Sequence, residues 1–160
     1  RGGGQERGLR SGTEATPQIA ALAAAASLGM ERMEEHTAAL TDLKAYALET
    51  FQRGGPGLAV VSPGDAPHIC AISLPGYPSQ VVVRWLSDRG FCVSSGSACH
   101  RGKASHVYAA MHLSKGVRDG VLRISFGPEN TRQEVDQLAQ ALLEAGADRI
   151  GAGNGIPLLG

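Results

Sequence analysis

Apolar positions Ala26, Met30, Met33, Leu40, Leu43, Ala47 and Phe51 recur along the chain at intervals of three, four and seven residues. That is the period of a helix with one buried stripe. The pattern predicts helix from Thr16-Pro17, a capping threonine followed by proline at the first helical position, to about Gln52. Gly54-Gly55-Pro56-Gly57 ends it. So long a run is expected to bend or split near His36-Thr37. Leu58–Ser62 and Ile69–Leu74 then read as short strands between Pro and Gly turns. Ser79–Ser87 reads as a helix despite its β-branched Val81-Val82-Val83, with Gly90 capping its end.

Phe91-Cys92-Val93 is expected to be a short strand running into the small-residue loop Ser94-Ser95-Gly96-Ser97-Ala98-Cys99. Ser105 is expected to cap a helix that turns Val107, Ala110 and Met111 to one side. Val121–Phe126 alternates as a strand. Thr131-Arg132-Gln133-Glu134 is a capping box that opens a last helix with Val135, Leu138 and Leu142 inward, after which the chain becomes glycine-rich beyond Ala145. The order helix, β, β, α, β, α, β, α predicts an α+β layer, helices packed on a small mixed or largely antiparallel sheet.

Composition narrows the function. The 160 residues carry fifteen basic and fifteen acidic side chains, and the three lysines, Lys44, Lys103 and Lys115, are scattered. Nucleic-acid binding normally needs a clustered basic surface, so a direct nucleic-acid role is not expected. The longest nearly uncharged stretch, Ala15–Met30, is too short and too rich in alanine for a membrane span. The start carries no apolar signal segment. It also lacks a methionine, as a piece of a longer protein would. Three cysteines, Cys70, Cys92 and Cys99, make no paired framework, so a reducing compartment, the cytoplasm, is expected.

Among these cysteines the settings differ. Cys70 and Cys92 lie in apolar strands, where a thiol is usually buried and inert. Cys99 lies in a polar loop beside His100, Arg101 and Lys103, cations that would favour a thiolate. It is the candidate nucleophile, although by these features alone it is equally an incidental loop residue. A phosphate-loop reading of Gly96–Lys103 fails: five residues separate Gly96 from Gly102, and Ala104 follows the lysine. No metal site is expected, since Cys99, His100, His106 and His112 lack short ligand spacing. Arg123, within the predicted strand, could offer a rigid fork to a carboxylate, or simply face solvent. Thr13, after a permissive glycine and ahead of a helix, could bind an anion, or serve as a turn residue.

Together these segments resemble a known family. Gly2-Gly3-Gly4-Gln5-Glu6-Arg7 through Gly12-Thr13-Glu14 is similar to the glycine signature of cysteine desulfurases in the class V aminotransferase group. Ser94–Cys99 resembles their Ser-Ser-Gly-Ser-Ala-Cys loop, and Leu122-Arg123-Ile124-Ser125 their Leu-Arg-Ile-Ser strand. The resemblance runs in family order from Gly2 to about Leu143. It implies the small C-terminal domain of an aspartate-aminotransferase-like, pyridoxal-phosphate-dependent homodimer. On that reading, 1–16 is a remnant of the large cofactor-binding domain, 17–53 the linking helix, 54–146 the small domain and 147–160 a flexible tail.

The resemblance also implies roles. With the cofactor as electron sink, the Cys99 thiolate takes the sulfur of L-cysteine as a persulfide and alanine is released. Arg123 holds the substrate carboxylate, and Thr13 binds the cofactor phosphate of the partner subunit. The sulfur then passes to an acceptor or scaffold protein, for iron-sulfur clusters or thiolated RNA. Selenocysteine lyase is the neighbouring alternative; a carrier or dimerisation module working without the cofactor is the non-enzymatic one. Three departures stand out: Ala15 in place of the family's asparagine, a shorter path from Cys99 to Ser105-His106-Val107, and no lysine in the family's Ser-x-His-Lys setting. The chain alone is therefore expected to be inactive. Its first helix is expected to expose apolar surface.

Overall fold

The computed structural model describes residues 2–54, 57–95 and 106–147. The chain divides into two compact units, 1–36 and 37–160.

In the first unit a tight turn over Gln5–Gly8 places Glu6 and Arg7 in left-handed conformation, at φ 50° and 57°. Helix α1, Thr16–Glu31, follows with proline in its first turn. Ala15 occupies the cap position without a side-chain bond, so Thr16 is the first helical residue and not the cap. The long helical run does divide, but at Arg32, whose backbone (φ −106°, ψ 5°) leaves the helical basin while its N–H bonds the Met30 carbonyl. The expected break at His36-Thr37 lies within α2, Met33–Arg53. No residue of α1 is buried, and Met30 and Met33 are exposed. The alanine-rich composition of α1 supports helix by propensity alone, without a stripe committed to packing in this unit.

In the second unit the expected stripe on α2 is real: Leu43, Ala47 and Phe51 are buried and Leu40 packs against them. The sheet is three-stranded and antiparallel, in the order β1 (Ala59–Ser62), β2 (Ile69–Ser73), β3 (Val121–Ser125). Register is regular between β2 and β3, with Ala71 opposite Arg123, and shifts by a bulge between Val60 and Ser62 of β1. Alternation gives the sheet two faces. Cys70, Ile72, Leu122 and Ile124 join Phe51, Val82, Leu86, Leu138 and Leu142 in the main core. The other face carries Ala71, Ser73, Val121 and Arg123.

Helix α3, Ser79–Ser87, packs on α6, Arg132–Ala147, and on β3. Gly90 takes φ 85° just after α3, a conformation that suits glycine. The capping box of α6 forms as predicted: the Thr131 N–H donates to Glu134 Oε2 at 2.7 Å, and the Glu134 N–H to Thr131 Oγ1 at 3.3 Å. Helix α6 continues to Ala147, two residues past the expected end, because Ala145 is itself buried. Polar contacts tie α6 to α2: Arg132 pairs with Asp42 at 2.7 Å, and the Tyr46 hydroxyl donates to Asp136 at 2.7 Å.

Two short helices lie ahead of β3, α4 (His106–Ala110) and α5 (Lys115–Asp119). The pattern had not predicted α5. Val107 and Ala110 of α4, and Met111 just after it, are exposed, since five residues complete little more than one turn. Ser105, its expected cap, lies outside the described residues.

Candidate functional site

Arg123 sits at the middle of β3, with its backbone engaged on both sides. Ala71 of β2 is its ladder partner, and on the other edge it forms an antiparallel bridge with Ser94. The Arg123 N–H donates to the Ser94 carbonyl at 2.8 Å, and the Ser94 N–H to the Arg123 carbonyl at 3.3 Å. This bridge is all that forms of the expected strand Phe91-Cys92-Val93, which makes no continuous ladder with β3.

The guanidinium is half-buried on the sheet face opposite the main core. Its Nη2 donates to Ser94 Oγ at 3.4 Å, while Nε is buried with no hydrogen-bond partner among the described residues. None of the ion pairs of the described residues includes Arg123. Small Ala71 stands opposite it in the ladder. Tyr108 of α4 is close enough to feel its charge: burial raises the phenol pKa, and the Arg123 cation pulls it partly back. Among the described residues no carboxylate pairs with this cation, and a guanidinium so placed has the chemistry to accept an anionic group.

Beside Arg123, α5 closes the same sheet face. The Ser73 hydroxyl, fully buried, donates to the Val117 carbonyl at 2.6 Å, and the Leu74 N–H to the Gly120 carbonyl at 3.2 Å. These bonds hold the segment leading into β3 against the end of β2.

Cys99 lies outside the described residues, as do His100, Arg101 and Lys103; five residues before it in the sequence is Ser94, the residue bridged to Arg123. The other two thiols can be compared directly. Cys70 is buried in β2, and burial pushes its pKa up to about 11, against a smaller opposing pull from Lys44. It is thus a packing residue, as expected. Cys92 is not: it is exposed. Its segment does not continue the sheet, so alternation no longer turns the thiol inward. Cys92 lines a hollow of about 450 Å³ between Phe91–Val93, Ile124–Phe126 and the start of α6.

Thr13 belongs to the first unit, exposed in the coil ahead of α1. Gly12 before it takes φ 104° and donates its N–H to Gln5 Oε1 at 3.3 Å, so the glycine signature folds back on itself around a permissive residue. Thr13 could anchor a phosphate there.

Two of the three lysines fall among the described residues. Lys44 is buried and donates to the carbonyls of Gly64 and Ala66 at 2.8 and 2.7 Å, which ties α2 to the β1–β2 turn. Lys115 is an exposed residue of α5. Among the described residues Lys44 is thus a structural tie and not a free amine.

Comparison with known proteins decides the family. The aminotransferase class-V family model matches residues 3–138. The chain belongs to the aminotransferase class-V family. Within this class V family, relatives include a "NifS/IcsS protein homolog" of Lactobacillus delbrueckii subsp. bulgaricus, 35% identical, matching 89% of this chain and 38% of that protein. The cysteine desulfurase IscS of Clostridium botulinum is 32% identical, over 88% of this chain and 37% of its own length. Human selenocysteine lyase is 36% identical, over 90% and 34%. Among solved structures, a NifS-like protein superposes with a TM-score of 0.77 at 29% identity, covering 92% of this chain and 38% of its own. A NifS-like protein from Rickettsia africae gives 0.75 at 26%, covering 92% and 39%.

The class V chain thus spans little more than a third of the length of the curated relatives it matches, and its α+β fold is that of the small domain in these fold type I enzymes. Class V membership implies pyridoxal phosphate dependence for the family. No helix among the described residues is long and apolar enough to cross a membrane. Ser94 and Tyr108 are the neighbours of Arg123 that sequence reading missed. Ser94 was visible only as the start of a serine-glycine run, and nothing in a linear pattern pairs it with a strand 29 residues away.

Proposed function

We propose that this chain is the small-domain part of a pyridoxal-phosphate-dependent cysteine desulfurase, in which Arg123 receives the carboxylate of L-cysteine and Cys99 accepts its sulfur. The observation that carries the reading is the guanidinium of Arg123, unpaired with any carboxylate among the described residues and bridged to Ser94, five residues before Cys99 in the sequence. Carboxylate binding there would orient the substrate toward the loop, and a small polar loop suits a thiol that must reach both substrate and sulfur acceptor. When bound, the cofactor supplies an electron sink at the substrate carbon. Thr13 would hold its phosphate from the partner subunit of a homodimer, and the lysine that attaches it would come from outside these 160 residues.

The overall exchange balances as L-cysteine plus the Cys99 thiol giving L-alanine plus a Cys99 persulfide, which an acceptor protein then discharges. A cytoplasmic supply of sulfur for iron-sulfur clusters or RNA thiolation is the setting this implies. Human selenocysteine lyase among the relatives supports a second reading, in which selenocysteine is the better substrate.

The test is an alanine-release assay on the whole cofactor-loaded protein that carries this chain, with cysteine and selenocysteine in parallel. Cysteine turnover abolished in Cys99→Ala, with a persulfide on Cys99 by mass spectrometry, is the expected result. Removing Arg123 deletes charge-assisted contacts worth roughly 1.5–3 kcal/mol each, so Arg123→Ala should lower kcat/KM at least tenfold. A protein that releases no alanine, yet receives a persulfide on Cys99 from another desulfurase, would be a carrier, and the enzymatic reading would fall.

A further inference from the structure

The carboxylate receptor is not a lone arginine. An arginine side chain loses rotamer freedom when it binds, and that cost falls if a neighbour already holds the fork. Two features of the fold do so here. The backbone of Arg123 is pinned on both strand edges, and Nη2 is held by one neutral acceptor, the Ser94 hydroxyl; Nε is buried and makes no hydrogen bond among the described residues. A neutral acceptor fixes orientation without quenching the positive charge, as a carboxylate neighbour would.

We infer that Ser94 is a positioning residue for Arg123, its hydroxyl orienting the guanidinium for the substrate carboxylate while its backbone bridge holds the two residues side by side. This rests on the proposed reading of Arg123 as the carboxylate receptor. Ser94 touches neither sulfur nor cofactor in this scheme; it acts through the arginine. The backbone bridge at Ser94 requires no particular side chain, so the hydroxyl can be removed without breaking the pairing with β3.

The test compares Ser94→Thr and Ser94→Val in the whole cofactor-loaded protein, two β-branched residues of nearly equal shape that differ in the hydroxyl. With Ser94→Val, KM for cysteine should rise roughly 5- to 20-fold, the loss of one weak charge-assisted bond, with kcat within about twofold because the backbone bridge to β3 remains. Ser94→Thr should stay within about threefold of the parent in both. A second readout uses the 160-residue chain itself: the Arg123 Nε–H signal in nitrogen-15 NMR should be slow to exchange in the parent and in Ser94→Thr, and faster in Ser94→Val.

Equal KM values for the Thr and Val variants, with Arg123→Ala still raising KM, would overturn the role of Ser94 and leave the receptor reading intact. An unchanged KM in Arg123→Ala would overturn the receptor reading and this inference with it. A fall in kcat with KM unchanged in Ser94→Val would mean that Ser94 serves the loop and not the arginine.

Discussion

Cys70 allows the burial of a thiol to be read as a pH dependence of stability. Its pKa is raised from 9.0 to about 11 because β2 places it in the main core. The folded chain keeps the thiol protonated over a range in which the unfolded chain has already released the proton. Stability from this group is therefore complete below pH 9 and is lost as pH rises from 9 toward 11. Linkage gives a loss on the order of 1 kcal/mol between pH 8 and pH 10. At a urea slope of about 2 kcal/mol per molar, the unfolding midpoint should fall by about half a molar.

Tyrosines and lysines titrate in the same range, so the measurement is a difference. Urea unfolding of the parent and of Cys70→Ala, both reduced, is compared at pH 8 and pH 10. Cys70→Ala should lose less stability by about the amount given, whatever its starting stability. Equal losses in the two proteins would mean that the thiol is not desolvated in the fold, and the case for Cys70 as a packing residue would lose its basis. The outcome also bears on sulfur chemistry, since a thiol with so high a pKa offers almost no nucleophilic thiolate at neutral pH.

Further outcomes follow from other parts of the structure. Iodoacetamide at neutral pH should label Cys92, which is exposed, and spare Cys70 in the folded chain; mass spectrometry of the peptides would read this, and equal labelling would contradict the burial. Glu134 is held below the ordinary carboxylate range, first by the Thr131 N–H and then by the side chains of Asn130 and Thr131. Its stabilisation is present above the unfolded carboxylate pKa and fades as pH falls through the folded value, so Glu134→Gln should flatten the acid limb of a stability profile measured by circular dichroism. At Gly120 a Cβ would collide with the Leu74 carbonyl oxygen. Gly120→Ala should cost about 1–3 kcal/mol in chemical denaturation, and an unchanged midpoint would show that the junction ahead of β3 yields. Leu22 and Met30 are exposed at 72% and 74%; Leu22→Glu with Met30→Glu should reduce self-association in analytical ultracentrifugation, and a parent already monomeric at high concentration would refute it.

Local patterns determined much of this protein. The three strands, α3 and its terminating Gly90, and the capping box of α6 could be read from alternation, turn residues and caps, because each depends on residues close together in the chain. The family could be read from three short motifs in order. Tertiary structure decided the rest. The methionines of the first helical run continue the periodicity of Leu43 and Phe51, yet only the latter are buried; a period shows which residues share a face, not whether another element covers it. Cys92 carries the apolar neighbours of a buried strand but stands exposed, because the ladder beside β3 stops at a single bridge. Arg123 could have faced solvent or a ligand on the evidence of its strand. What fixes its place is Ser94 on one edge and Ala71 on the other, and long-range strand pairing is not encoded in a linear pattern.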